Sequence, residues 1–162
     1  MRLRESIVIA ASPEQVWEYL SDLDNYLHFM AGVTRWEVQG EQRSGLGARR
    51  RMLIRAGSAE VGGLVEMVEW DAPRDLAWTS VSGVDQRGRI RVREAGEHAS
   101  RVEMRFAYGV AGAGLAGWLA EKVAAPTLRG HLRQTLAQLK RQVEHERLRA
   151  EAAARRREPA GA

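Results

Sequence analysis

Apolar and polar positions alternate over most of residues 33–110, and this period of two predicts β-strands. The alternation is clearest at residues 87–94 and 101–106, where charged side chains take every second position. Such strands form a sheet with one face in water and one face in the core. We expect seven strands, covering residues 2–10, 33–39, 48–56, 59–70, 76–82, 87–94 and 101–110.

A helix is expected directly after the first strand. Ser12 is a good N-cap, Pro13 fits the first helical position, and Gln15 completes a capping box. This helix should run from Pro13 to Asp22, and a second short helix should begin at Asp24.

The rest of the chain has helical periodicity. Two apolar stripes are present, and their centres differ by roughly 110° around the axis. The first consists of Leu115, Trp118, Leu119 and Val123, and the second of Leu128, Leu132, Leu136, Leu139 and Val143. Since a straight helix cannot aim both stripes at one sheet, we expect a kink or break near Pro126. Beyond the stripes the chain has no apolar face, so residues 1–145 should form one domain and residues 146–162 a basic, solvated helical tail.

Length and composition indicate a single ordinary globular domain of 162 residues. The chain has no cysteine, which excludes disulfides and thiolate metal sites. No apolar stretch is long enough for a membrane span or a signal peptide, and we expect a cytoplasmic protein.

The net charge of +4 is concentrated at the C-terminus. Residues 140–162 hold seven basic and four acidic side chains, whereas the remainder holds 18 and 17. A nearly neutral body without basic and aromatic side chains interleaved does not indicate a nucleic-acid partner.

Two segments carry a family resemblance. Residues 7–17 read IVIAASPEQVW, a strand leading into a helix, and residues 69–78 read EWDAPRDLAW, two strands joined by a proline turn. With the terminal helix they resemble the START/Bet v 1-like superfamily, and within it the bacterial polyketide cyclase/dehydrase-like (SRPBCC) branch, over residues 2–143. The resemblance implies an α+β helix-grip fold: a seven-stranded curved antiparallel sheet around a long C-terminal helix, with two short helices after strand 1. It also implies an apolar cavity for a lipid, polyketide or quinone-like molecule.

Inward positions of the strands and helices are the expected ligand contacts. We predict that the ligand-binding residues are Tyr26, Phe29, Met30, Trp36, Arg50, Met52, Ile54, Trp78, Ile90, Val92, Met104, Phe106, Tyr108 and Trp118. The short second helix, with its aromatic side chains, is a candidate lid. We expect neither cofactor nor metal, because the four histidines lack metal-ligand spacing.

Arg50 is the charged position that the alternation places inside, on the face of Met52 and Ile54. A buried guanidinium must be paired. Two interpretations stay open: a structural ion pair with an inward Glu66 or Glu94, or an anchor for a ligand carboxylate or enolate.

Three functions remain under consideration. The first is a non-enzymatic binder or carrier of a small hydrophobic molecule. The second is a cyclase or dehydratase, in which Arg50 stabilises an enolate and Tyr108 or His28 moves a proton. The third is an interaction module that uses the basic tail. The sequence does not specify the ligand or the oligomeric state.

Residues 112–117 read GAGLAG and match the dinucleotide motif G-x-G-x-x-G. No parallel strand and no ribose-binding acidic residue follow them. We interpret the glycines as the entry into the last helix, with a cavity gate as a hypothesis.

Overall fold

The computed structural model of the chain describes residues 1–109 and 114–158, and the side chains of these except at position 56 and at positions 114–124. Three parts of the sequence-based predictions lie outside the described residues. They are the predicted strand end at Val110, positions 112–113 of the glycine-rich segment, and the tail end at 159–162. The same holds for the side chain of Trp118.

Seven strands form one antiparallel sheet in the order β1-β7-β6-β5-β4-β3-β2, which confirms the predicted fold class. Every strand falls where its alternation predicts it, within a few residues. The strands are β1 (Arg2–Ile9), β2 (Val33–Gln39), β3 (Arg49–Ala56), β4 (Ala59–Asp71), β5 (Asp75–Gly83), β6 (Asp85–Glu94) and β7 (Ser100–Gly109).

Two short helices, α1 (Pro13–Ser21) and α2 (Tyr26–Phe29), follow β1 and are joined by a 3-10 turn at Leu23–Asn25. The predicted capping box is present. The Gln15 amide donates to Ser12 Oγ at 3.2 Å, and the Ser12 amide donates to Gln15 Oε1 at 2.9 Å. These reciprocal bonds satisfy two donors at the helix start and fix where the chain turns back over the sheet.

The last helix, α3 (Gly114–Arg157), is 44 residues long and passes through Pro126 without interruption. The predicted break is therefore wrong, and the alternative of a kink at Pro126 stays a prediction. Pro126 is exposed, so water can satisfy the backbone carbonyl that loses its partner there. The buried residues of α3 end at Val143, and from Leu148 to Glu158 nearly every side chain is exposed.

The inner face of the sheet packs on α1, α2 and α3 and forms the core. On β6 and β7, the apolar positions are buried and the intervening charged positions face outward, as the alternation predicts. No helix in the described part of the chain is both long and apolar enough to cross a membrane.

Gly88 offers a test of how tightly this core is packed. It lies opposite Trp78 in the β5–β6 ladder, and a Cβ at position 88 would overlap the buried indole ring. We expect Gly88→Ala to lower the free energy of unfolding by about 1–3 kcal/mol in urea titrations, because the ring has no room to retreat.

Gly130 on α3 is the matched control. A Cβ there meets no atom within 4 Å, so Gly130→Ala should stabilise the protein by roughly 0.5–1 kcal/mol through helix propensity. Equal effects of the two substitutions would contradict the packing around Trp78.

Candidate functional site

A small cavity of about 30 Å³ lies between α3 and the inner face of the sheet. Its wall comes from β2, β3 and β7 on one side and from α3 and the segment after α2 on the other. The lining residues are Met30, Ala31, Val33, Met52, Ile54, Met104, Phe106, Leu128, His131, Leu132 and Thr135.

Part of the predicted ligand-binding set converges on this cavity. Met30, Met52, Ile54, Met104 and Phe106 line it, and three of these five side chains are methionines. Unbranched thioether side chains change rotamer and refill irregular space more readily than branched ones. The wall is therefore both apolar and adaptable.

Sequence reasoning missed the polar part of the lining, His131 and Thr135. Both lie on α3 and are four residues apart, which places them on one side of the helix. The sequence held a signal for His131, because it lies next to Leu132 and three positions after Leu128, and both leucines belong to the apolar stripe and line the cavity. A histidine at the edge of a buried apolar stripe is a candidate polar contact for a ligand.

His131 lines the cavity and has a buried ring nitrogen next to Gly32. This Nδ1 is inaccessible to solvent and has no hydrogen-bond partner among the described residues. The imidazole packs against Gly32, where a Cβ would overlap the ring and where φ is +79°. Glycine is thus required at position 32 both for the backbone conformation and for the space that the imidazole occupies.

Thr135 is the second polar residue of the lining, and we call His131 and Thr135 together the polar corner. Thr135 also links α3 to the segment after α2. Its Oγ1 accepts a hydrogen bond from the Ala31 backbone amide at 2.9 Å. The hydroxyl is itself a donor, so the corner offers both a donor and, at His131, an unused ring nitrogen.

The predicted aromatic contacts form a packed cluster beside the cavity. Tyr26 stacks on Trp36 with centroids 5.1 Å apart and meets Trp78 edge-on at 6.4 Å. Trp36 Nε1 donates to the Leu23 carbonyl at 2.8 Å. Complete burial raises the pKa of the Tyr26 hydroxyl, so this group is neutral across the physiological range.

The lid role of the short helix stays a prediction. Tyr26, Phe29 and Met30 are buried and belong to the core, whereas Leu27 and His28 of the same short helix face solvent. His28 does not line the cavity and so is not placed to act as a general base there. Ile90 and Val92 are also core residues that do not line it.

Arg50 points inward as predicted and is 2% exposed. Its Nη1 donates to Asp24 Oδ1 at 2.9 Å and its Nη2 to the Arg43 carbonyl at 2.6 Å. The guanidinium also lies 6.0 Å from the Trp36 ring centroid. Arg50 thus bonds to other protein groups and does not line the cavity. This favours a structural ion pair over an anchor for a ligand.

The predicted partners of Arg50 are wrong. Glu66 bonds Arg49 at 2.9 Å, because irregularities in the β4–β5 pairing leave Val65 and Met67 as the inward residues of β4. Glu94 is exposed at the end of β6. The true partner, Asp24, lies in the 3-10 turn after α1, a long-range contact that strand alternation cannot reveal.

Tyr108 is half-buried near the end of β7, where its hydroxyl contacts Met1 Sδ at 3.6 Å. It does not line the cavity. In the described part of the chain, no three side chains of His, Cys, Asp or Glu are grouped so that they could hold a metal ion.

A family model described as "Polyketide cyclase / dehydrase and lipid transport" matches residues 1–144. This match confirms the family resemblance. No curated protein sequence matches the chain.

Solved structures share the fold at low sequence identity. A Thermus thermophilus protein is 23% identical with a TM-score of 0.77, covering 90% of this chain and 99% of its own. The Zhui aromatase/cyclase from a Streptomyces species is 15% identical with a TM-score of 0.73, covering 89% and 93%. A START superfamily protein from Mycobacterium smegmatis is 14% identical with a TM-score of 0.65, covering 89% and 97%. At these identities the likeness shows the fold alone.

The Asp24–Arg50 pair generates a pH-dependent prediction. Hydrogen bonds from Arg43 and Arg50 hold the pKa of Asp24 below its ordinary value of 3.8. Asp24→Asn leaves the buried guanidinium without its counter-charge, and we expect a loss of about 1–3 kcal/mol in unfolding free energy at pH 7.

The sign of the pH effect follows from the depressed pKa. The carboxylate stabilises the folded state fully above the unfolded-state pKa, and this contribution disappears as the pH falls through the folded-state pKa. Urea unfolding of wild type and Asp24→Asn at pH 7 and at pH 3 measures the difference. A gap that stays constant or widens in acid would rule out this assignment.

Proposed function

The chain belongs to the polyketide cyclase/dehydrase and lipid transport family, and we propose that it binds a neutral, largely apolar small molecule between α3 and the sheet. The family match supports hydrophobic ligand binding in general. The observation that carries the finer proposal is the chemistry of the cavity lining: an apolar wall with one polar corner.

The lining favours a neutral ligand over an anionic one. Among the described residues that line the cavity, none is arginine, lysine, aspartate or glutamate. Arg50, which the sequence offered as an anchor for a ligand carboxylate, is bonded to Asp24 and to a backbone carbonyl. A ligand carboxylate would enter this space without a counter-charge, which is costly in an apolar surrounding.

The polar corner supplies orientation. His131 and Thr135 lie on one side of α3 and line the cavity opposite methionine and phenylalanine side chains of the sheet. A ligand with one hydroxyl or carbonyl group at an end of an apolar body pairs with this corner. Apolar contacts then provide most of the affinity and a single hydrogen bond fixes the direction of the ligand.

Binding requires the wall to rearrange. The cavity of about 30 Å³ is the size of one or two water molecules, whereas small-molecule sites are typically about 300–1,000 Å³. Met30, Met52 and Met104 give the wall that freedom, because their side chains can withdraw by rotamer changes without moving a strand.

A catalytic function is the second candidate, and His131 is the observation that favours it. A buried imidazole nitrogen without a partner could exchange a proton with a bound ligand, as general acid–base chemistry requires. The similar Zhui protein is named an aromatase/cyclase. In this case, His131→Phe would abolish turnover while leaving apolar binding intact.

Native mass spectrometry of the protein purified from its own host tests the proposal directly. We expect a bound molecule that, after extraction, is neutral, apolar and carries a hydroxyl or carbonyl group. Recovery of a fatty acid or another anion in its place would contradict the proposed ligand class.

Two matched probes provide a quantitative prediction. At pH 7 β-naphthol is neutral and β-naphthoate is a carboxylate. We expect titration calorimetry to show β-naphthoate binding at least about tenfold more weakly, because its charge finds no partner in the cavity.

Substitutions locate that binding. Leu132→Trp should abolish it by filling the cavity, whereas Leu148→Trp, on an exposed part of the same helix, should not. His131→Phe should weaken β-naphthol about tenfold through the lost hydrogen bond and leave naphthalene unchanged. Unchanged β-naphthol affinity in both Leu132→Trp and His131→Phe would place the binding site elsewhere.

A further inference from the structure

A second concave surface lies on the outer face of the sheet. It is a groove of about 820 Å³ across β1, β7, β6 and β5. Five arginines line it, and small side chains form the floor between them. The arginines are Arg2, Arg4, Arg87, Arg89 and Arg105, and the small residues are Ala77, Thr79 and Ala107. We call this surface the arginine groove.

The strand register brings the arginines together from distant parts of the sequence. Arg2 on β1 and Arg87 on β6 both pair with Ala107 on β7, so they flank it on the same face. Strand spacing puts their Cα atoms about 10 Å apart. In the next row, Arg4 and Arg89 flank Arg105 in the same way.

The charges of the groove are only partly compensated. Arg4 and Arg105 share Glu103, and Arg89 Nη2 bonds Glu69 at 2.7 Å. Neither of these acidic residues lines the groove.

Within the described ranges, the row around Ala107 has no such ion pair, although Asp85 borders the same concave surface as Arg2 and Arg87. Among the described residues, neither Arg2 nor Arg87 has an ion-pair partner within 4 Å. The nearby Asp85, two positions before Arg87 on β6, accepts from Ser80 Oγ at 3.4 Å instead.

The grouping of these arginines corrects the expectation, drawn from the nearly equal numbers of basic and acidic residues, that the body has no basic face. A body with nearly equal numbers of basic and acidic residues is not evenly mixed, because period-two alternation directs the arginines of three adjacent strands to one face. The surface is basic although the composition of the body is not.

We propose that the arginine groove binds a small molecule that carries two or more phosphate groups. Guanidinium groups match phosphate oxygens with two parallel hydrogen bonds, and Arg2 and Arg87 have this capacity unused. The groove volume falls within the usual range for small-molecule sites. Concave basic surfaces also concentrate anions from solution.

The shape and lining favour this occupant over a membrane or an RNA. A flat bilayer surface does not enter a groove. Binding of single-stranded nucleic acid uses exposed aromatic rings as stacking platforms. The aromatic residues beneath the groove, Trp78 and Phe106, are buried on the inner face of the sheet. A compact polyphosphate fits the space and needs no aromatic ring.

Calorimetric titration with inorganic tripolyphosphate at low salt tests the proposal. We expect the double variant Arg2→Ala/Arg87→Ala to bind at least about tenfold more weakly. Arg2→Lys/Arg87→Lys should recover only part of that loss, because the ammonium group keeps the charge but not the fork of donors. Asp85→Asn should tighten binding about twofold or more by removing a nearby negative charge.

Arg101→Ala is the matched control. Arg101 is exposed on the same face but pairs with Val8 and Arg93, and does not line the groove. Its substitution should change the affinity less than about twofold. An equal loss in this variant, or no tripolyphosphate binding by wild type, would overturn the proposal.

Tighter binding of phosphatidylglycerol vesicles or oligouridylate through Arg2 and Arg87 would overturn it in favour of a membrane or RNA. Because these side chains are exposed, all variants should keep the wild-type melting temperature.

Discussion

The pairing register of β1, β7 and β6 is the constraint on which both faces of the molecule depend. Side chains alternate strictly along a strand, so a slip of one residue would exchange the two faces. Met104 and Phe106 would then lie in water, and Arg105 would enter the core. The cost of burying unpaired guanidinium groups makes that alternative inaccessible. One choice of register therefore produces the apolar wall of the cavity and the basic outer surface together.

Arg50 and His131 are both polar residues with buried atoms, and they differ in how far the protein pairs them. The fold supplies Asp24 and a backbone carbonyl as partners for Nη1 and Nη2 of Arg50, and its Nε has no partner among the described residues. His131 lines the cavity, and its buried Nδ1 receives no partner from the part of the chain that the structure describes. An unsatisfied buried polar atom costs free energy, and a ligand can offset that cost only where the residue borders a cavity. Of the two residues only His131 lines the cavity, so we take the histidine, and not the arginine, as the polar contact of the proposed site.

The sequence predicted the strands, the capping box and the buried apolar residues of β6 and β7, because these depend on local periodicity. It did not predict Asp24 as the partner of Arg50, since that contact joins a turn to a strand 26 residues later. Glu66 was misplaced because irregular strand pairing changes which side chains face inward, and no local pattern marks such a site. The sequence did not predict the arginine groove either, because its arginines come together only through the pairing register of three strands.

Strand β7 is the element that the two candidate sites share. Met104 and Phe106 face the cavity, and Arg105 and Ala107 face the groove. If the methionines move to admit a ligand, the backbone of β7 can stay fixed, since rotamer changes are cheaper than breaking ladder hydrogen bonds on both edges of a strand. The two sites are then independent despite being separated by one layer of backbone. Coupling between them would need a second stable position of β7, and a strand paired on both sides is the part of the sheet least able to provide one.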